Sequence, residues 1–115
     1  MPSEPLTIED STNDTNGFRL LRLTGPIVIT NLFDLQNRIR GNTAKKLILD
    51  LSGVPYIDSA GIGALVGAYV SHQKEGRALA LVGVNDRIHN ALKVTQVESF
   101  FRFFDSVDAA EGAAA

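Results

Sequence analysis

Two short segments, Lys46-Leu47-Ile48-Leu49-Asp50-Leu51 and Ala78-Leu79-Ala80-Leu81-Val82, are almost continuously apolar and end in turn residues. Runs of this length fit strands covered on both faces better than they fit amphipathic helices, which need a polar side. Each is followed by a helical pattern. Ile62, Leu65, Val66, Tyr69 and Val70 repeat at helical spacing up to a stop at Gly76, and Ile88, Ala91 and Leu92 do so behind Asn85 or Asp86 as cap. Strand and helix therefore alternate, and the fold class is α/β with helices laid over a sheet whose central strand is Lys46–Leu51.

Upstream, Leu6-Thr7-Ile8 reads as a first strand and the polar run Glu9 to Gly17 as a turn. Phe18 to Leu23 pairs back as a hairpin, Gly25-Pro26 breaks it, and Ile27-Val28-Ile29 is a short apolar continuation. Thr30 or Asn31 caps a helix with Leu32, Leu35 and Ile39 inward and Asp34, Arg38 and Arg40 in water, ended by Gly41-Asn42. Phe100, Phe101, Phe103 and Phe104 form an aromatic cluster read as core, with a homodimer face as the alternative. The Ala-rich tail Ala109–Ala115 reads as a frayed helix or disorder.

The 115 residues are expected to form a single domain, 1–115, with 1–5 and 111–115 read as flexible ends. With 11 basic and 13 acidic residues the formal net charge is -2, and no basic patch marks a nucleic-acid partner. The absence of cysteine excludes disulfides, thiolate metal sites and a thiol nucleophile, and neither a metal nor a cofactor is expected. The longest apolar run, Ala60 to Val70, is about half of the roughly 20 residues that span a bilayer, so no membrane insertion is expected. The N-terminal residues lack a signal-peptide pattern, and a cytoplasmic protein is the expectation.

Between the central strand and the next helix stands Tyr56-Ile57-Asp58-Ser59-Ala60-Gly61-Ile62-Gly63-Ala64-Leu65, one hydroxyl among very small residues. Three readings compete. As a nucleophile elbow it lacks the glycine two before Ser59, where Ile57 stands. A base is also lacking, since His72 lies about 20 Å along the same helix and His89 sits one turn after Asp86. No catalytic residue is assigned, and the chain is read as a non-enzyme. As a nucleotide fingerprint, Gly61, Gly63 and Gly67 with Asp86 about twenty residues on are suggestive, but Ser52 to Ala60 separate the strand from the first glycine. Gly63 and Gly67 have a plainer reading: four apart, they let one helix face approach a neighbour closely.

As a helix N-cap, Ser59 is a local structural residue that can carry a function as well. A capping serine on a connecting loop beside Ala60 and Gly61 is open to a kinase. A phosphate brings about -1.5 to -2 charges to the positive end of a helix, which gains roughly 0.3 to 1 kcal/mol there, less the repulsion of Asp58. The fold survives. A protein covering that surface would have to bury an unpaired dianion, and its affinity falls roughly a hundredfold or more.

Asp50-Leu51-Ser52-Gly53-Val54-Pro55-Tyr56-Ile57-Asp58-Ser59-Ala60-Gly61-Ile62-Gly63-Ala64-Leu65 resembles the signature of the STAS domain, in particular bacterial anti-sigma factor antagonists. The likeness extends to Leu20–Gly25, Ala80–Val84 and Phe104–Val107, over roughly residues 6 to 110. The resemblance implies a mixed four- to five-stranded sheet with helices packed mainly on one face. It implies that Ser59 is phosphorylated by a serine protein kinase that is also an anti-sigma factor, and that the partner binds at Asp58, Ser59, Ala60, Gly61 and Ile62. Unphosphorylated, such a domain holds the kinase; phosphorylated, it lets go. A PP2C-type phosphatase is a further partner, and the chain itself is a monomer or weak homodimer. The alternative is the same fold as a subunit of a sensory scaffold or lipid transporter. Three positions depart from the pattern: Val28 replaces an acid, Ala60 a second hydroxyl, and Gln96 a helix-ending glycine.

Overall fold

A computed structural model describes residues 5–13 and 17–113. The elements follow as β1 (Thr7–Asn13), β2 (Phe18–Thr24), α1 (Phe33–Arg40), β3 (Lys46–Gly53), α2 (Ser59–Lys74), β4 (Ala78–Val82), α3 (Asp86–Val94), a 3-10 turn (Glu98–Phe100), β5 (Arg102–Phe104) and α4 (Val107–Gly112). The five strands lie in sequence order, β1 antiparallel to β2 and every later pair parallel. This is the expected mixed sheet, with β3 at its centre.

Strand alternation divides the apolar residues between two faces. The row Leu21, Leu49, Leu81 and Phe103 points to one side, where α1, α2 and α3 contribute Leu35, Ile39, Ala64, Leu65, Ala68, Ile88 and Leu92. The row Leu20, Ile48 and Ala80 points to the other, where Ala110 of α4 covers it. Helices thus lie mainly on one face, and a single short helix serves the second.

Several local expectations change. The run Glu9 to Gly17 is not all turn: β1 continues through Glu9–Asn13, because antiparallel pairing with Arg22–Phe18 satisfies the backbone whatever the side chains are, and an edge strand can keep polar groups in water. Residues 14–16 of that run lie outside the described residues. Neither Thr30 nor Asn31 caps α1; Leu32 occupies that position without a side-chain bond, and Asn31 folds back on Val28 and Pro26 instead. The buried stripe of α2 is Gly61, Ala64, Leu65, Ala68 and His72, while Val70 is exposed. The tail is not frayed through its length: α4 buries Ala110, and Lys46 Nζ donates to the carbonyls of Ala110 and Ala113 at 2.8 Å each. Of the four phenylalanines only Phe101 is buried; Phe100 is exposed and stacks on Tyr69 with ring centroids 5.2 Å apart.

Gln96 does take the left-handed conformation in which glycine is favoured, with φ of 63° at the end of α3. Asn85 caps that helix, accepting from Ile88 N at 2.8 Å.

Candidate functional site

At the ends of β2, β3 and β4 three loops meet. The loop after β2 joins the loop after β3 through a parallel bridge between Ile27 and Ile57, with Ile27 N donating to Tyr56 O and Asp58 N to Ile27 O, both at 3.2 Å. From the other side Asn85 Nδ2 donates to the carbonyls of Val54 and Pro55 at 3.2 and 3.1 Å. Arg87 adds a cation–π contact, its guanidinium carbon 4.9 Å from the Tyr56 ring centre. The segment ahead of α2 is therefore lashed on both flanks.

Asp58 is where these constraints converge. Its backbone is extended, as an N-cap requires, and Oδ1 accepts from Gly61 N at 2.9 Å. Oδ2 accepts from Ile29 N at 3.0 Å, so one carboxylate both caps α2 and ties down the preceding loop. Ser59, expected as the cap, is instead the first residue of the helix, because the longer reach of a carboxylate lets Asp58 serve two donors on two segments. Freed from capping, the Ser59 side chain is exposed.

The small residues divide sharply. A Cβ built on Gly61 would sit 2.4 Å from Ile27 O, so only glycine lets α2 start this close to the loop. Around Gly63 and Gly67 a Cβ would meet nothing within 4 Å, and both are exposed. The expectation that these two glycines let the helix approach a neighbouring surface closely finds no such surface among the described residues; Gly61 has that role instead. They border instead an open groove of about 230 Å³ between α1 and α2, with Gln36, Ile39 and Arg40 opposite. Ala60 and Ile62 are half-buried against the core and Gly61 is buried, so of the five residues expected to touch a partner Ser59 alone is fully exposed.

The competing chemistries do not assemble here. His72 is buried, its Nε2 facing Asn42 Nδ2 at 3.0 Å and its Nδ1 facing Ala68 O at 2.8 Å, near the far end of α2. That pairing makes Nδ1 the donor and Nε2 the acceptor, since the Asn42 amide is itself fixed by Ala44. His89 faces Glu98 and Phe103. Gly61 and Gly63 lie within a helix, not on a strand-to-helix phosphate turn, and the Gly61 N–H is taken by Asp58. Among the described residues no group of three or more His, Cys, Asp or Glu is placed to hold a metal, and no helix is long and apolar enough to cross a membrane.

Two features beside Ser59 were not singled out from the sequence. Ile29, 69% exposed, lies on the segment that Asp58 holds, and Phe33, 73% exposed, is the first residue of α1 just beyond it. The sequence pattern counts Ile29 in a short apolar continuation of the strand and leaves Phe33 outside the inward face of Leu32, Leu35 and Ile39.

The profile of the STAS domain matches residues 11–110. The anti-sigma-B factor antagonist of Listeria monocytogenes is 39% identical over 49 residues, 43% of either chain, and that of Staphylococcus aureus is 27% identical over 93 residues, 78% of this chain and 84% of its own. The chain spans about half the length of the first curated relatives it matches, 58% and 43%. Among solved structures, an anti-sigma factor antagonist from Mycobacterium paratuberculosis superposes with a TM-score of 0.79 at 21% identity, covering 91% of this chain and 90% of its own, which speaks to the fold alone. A sulfate transporter family protein from Wolinella succinogenes superposes with a TM-score of 0.68 at 33% identity, covering 82% and 81%.

Proposed function

The chain belongs to the STAS domain family, and from that premise we propose that it is an anti-sigma factor antagonist switched by phosphorylation of Ser59. Its relatives of that name support the role, and one observation carries the switch: Ser59 presents an exposed hydroxyl at the first residue of α2 while Asp58 and Gly61 on either side are fixed. In the unmodified form the face around Ser59 binds an anti-sigma factor that is also a serine kinase. A phosphate there meets the positive end of α2 and so leaves the fold intact, while a covering protein cannot bury the added dianion without loss.

The test uses the histidine-kinase-like anti-sigma factors of the source genome, purified one by one and mixed with the chain and ATP. Expected is one phosphate by intact mass, absent in Ser59→Ala, and binding weakened about a hundredfold in Ser59→Asp. No phosphate on Ser59 together with unchanged binding of Ser59→Asp overturns the reading.

The likeness to the Wolinella succinogenes transporter family protein favours a second reading, a subunit of a membrane transport assembly without a phospho-switch. Co-purification with a permease supports it. Because Asp58 is the cap, Ser59→Ala is expected to leave stability within about 0.5 kcal/mol under either reading, so signalling output and not melting separates them.

A further inference from the structure

We propose that Ile29 and Phe33 form the apolar anchor of the partner interface, inserting into a hydrophobic socket on the same protein that reads Ser59; this rests on the phospho-switch reading. Most large apolar side chains of the described residues are buried, and five stand out: Ile29, Phe33, Val70, Val94 and Phe100. Phe100 is half-spent on Tyr69, and Val70 and Val94 are single valines on helices. Ile29 and Phe33 differ in being four residues apart where the bend runs into α1, with Ile29 tied by Asp58 next to Ser59.

Their exposure is built in. Buried Ile27 and Leu32 pin the bend at both ends. Within it Asn31 N donates to Val28 O at 3.0 Å, Val28 N to Asn31 Oδ1 at 3.1 Å and Asn31 Nδ2 to Pro26 O at 2.9 Å. Ile29 N is held by Asp58 at 3.0 Å, and the close approach of Gly61 to Ile27 O presses the bend against the start of α2. A loop with this many fixed points cannot turn Ile29 inward without breaking them, and Phe33 follows directly as the first residue of α1, beside buried Leu32. A pre-ordered pair of large apolar groups loses little side-chain freedom on docking, which is what a binding hot spot requires.

Position gives the pair its partner. The Asp58 carboxylate holds the backbone of Ile29 beside residue 59, so a protein that covers Ser59 adjoins Ile29, with Phe33 four residues further on at the start of α1. Exposed Gly63 lies one helical turn from Ser59 and raises no side chain in the way. The occupant is thus an apolar socket beside the kinase's own serine-binding cleft, and a phosphate on Ser59 acts next to the carboxylate that positions the anchor.

The experiment measures binding of the anti-sigma factor that captures the unmodified chain, by titration calorimetry, for Ile29→Ser, Phe33→Ser, the double variant and Val94→Ser. Each single change should weaken binding about tenfold or more and the double variant about a hundredfold. Val94→Ser, equally exposed but remote in the sequence, should stay within about twofold. Melting temperatures of all four should match the parent, since these side chains face water. Tight binding by the double variant while Ser59→Asp still abolishes it overturns the anchor and leaves the phospho-switch standing. Loss in the double variant with Ser59→Asp still bound supports the anchor and overturns the switch. If none of the genome's anti-sigma factors binds the unmodified chain, both fall.

Discussion

Helix α2 meets the rest of the molecule in two ways. At its first turn Gly61 touches Ile27 O and Asp58 bonds two segments, so helix and loop are one fitted unit. Two residues on, Gly63 and then Gly67 face open space beside a groove, and nothing described in this chain requires glycine there. The same residue type is thus a steric necessity at one position and a local cost at another. Near the far end, His72 is buried in neutral hydrogen bonds to Asn42 and Ala68, a structural contact with no path to the serine. Tertiary contact, not helix propensity, therefore builds the first turn, where the proposed switch residue Ser59 stands.

The contrast can be broken most sharply with Gly61→Ala, whose methyl group would press on a backbone carbonyl. The clash outweighs the better helix propensity, with a net loss of about 2 to 3 kcal/mol, or roughly 10 °C in a melting scan. An unchanged melting temperature would show that the loop yields freely. Next in size is Asp58→Ala, expected to cost about 1 to 2 kcal/mol in a denaturant titration by removing the cap and the bond to Ile29. Asp58→Asn keeps one acceptor oxygen and should restore part of that loss.

Gly63→Ala and Gly67→Ala should move the other way, each stabilising by about 0.5 to 1 kcal/mol on the same titration, because the added methyl groups meet no neighbour. If they also weaken binding of the proposed partner, the open face of α2 belongs to the interface.

The smallest effect is expected away from α2, at the clamp that ties α1 to the sheet edge. Asp10 accepts from Arg19 at 2.6 Å and from Arg38 at 3.1 Å, and the Arg19 hydrogen bond is the first cause that holds its carboxyl below the usual range. The folded carboxyl being the stronger acid, its contribution is full above about pH 5 and fades as pH falls through the lowered value. Asp10→Asn should therefore lower the melting temperature at neutral pH by an amount worth below about 1 kcal/mol, and the gap to the parent should close near pH 2.

Much of this was legible in local pattern. The apolar runs of β3 and β4 announced buried strands because a sheet covered on both faces leaves no polar side, and the 3.6-residue spacing of Ile88 and Leu92 announced α3 in the same way. Ser59 stands out for a local reason as well, as a hydroxyl at a strand-to-helix turn among small residues, and the structure has it exposed at the start of α2. Other features escaped because the partner that decides them lies far along the chain. Glu9–Asn13 is strand because β2 pairs with it, and α4 holds because Lys46, more than sixty residues earlier, bonds its last carbonyls.

The order of strands and helices from β2 to α3 and the α/β class were determined by the sequence alone, since each follows from periodicity within a short window, whereas β5 and the hold on α4 were not. Which of Asp58 and Ser59 caps α2, which glycine cannot be replaced, and that Ile29 and Phe33 face outward were decided only by the tertiary structure. Those outcomes depend on where Ile27 O and Ile29 N come to rest, and residues about thirty positions apart are brought together by packing, which no local pattern encodes.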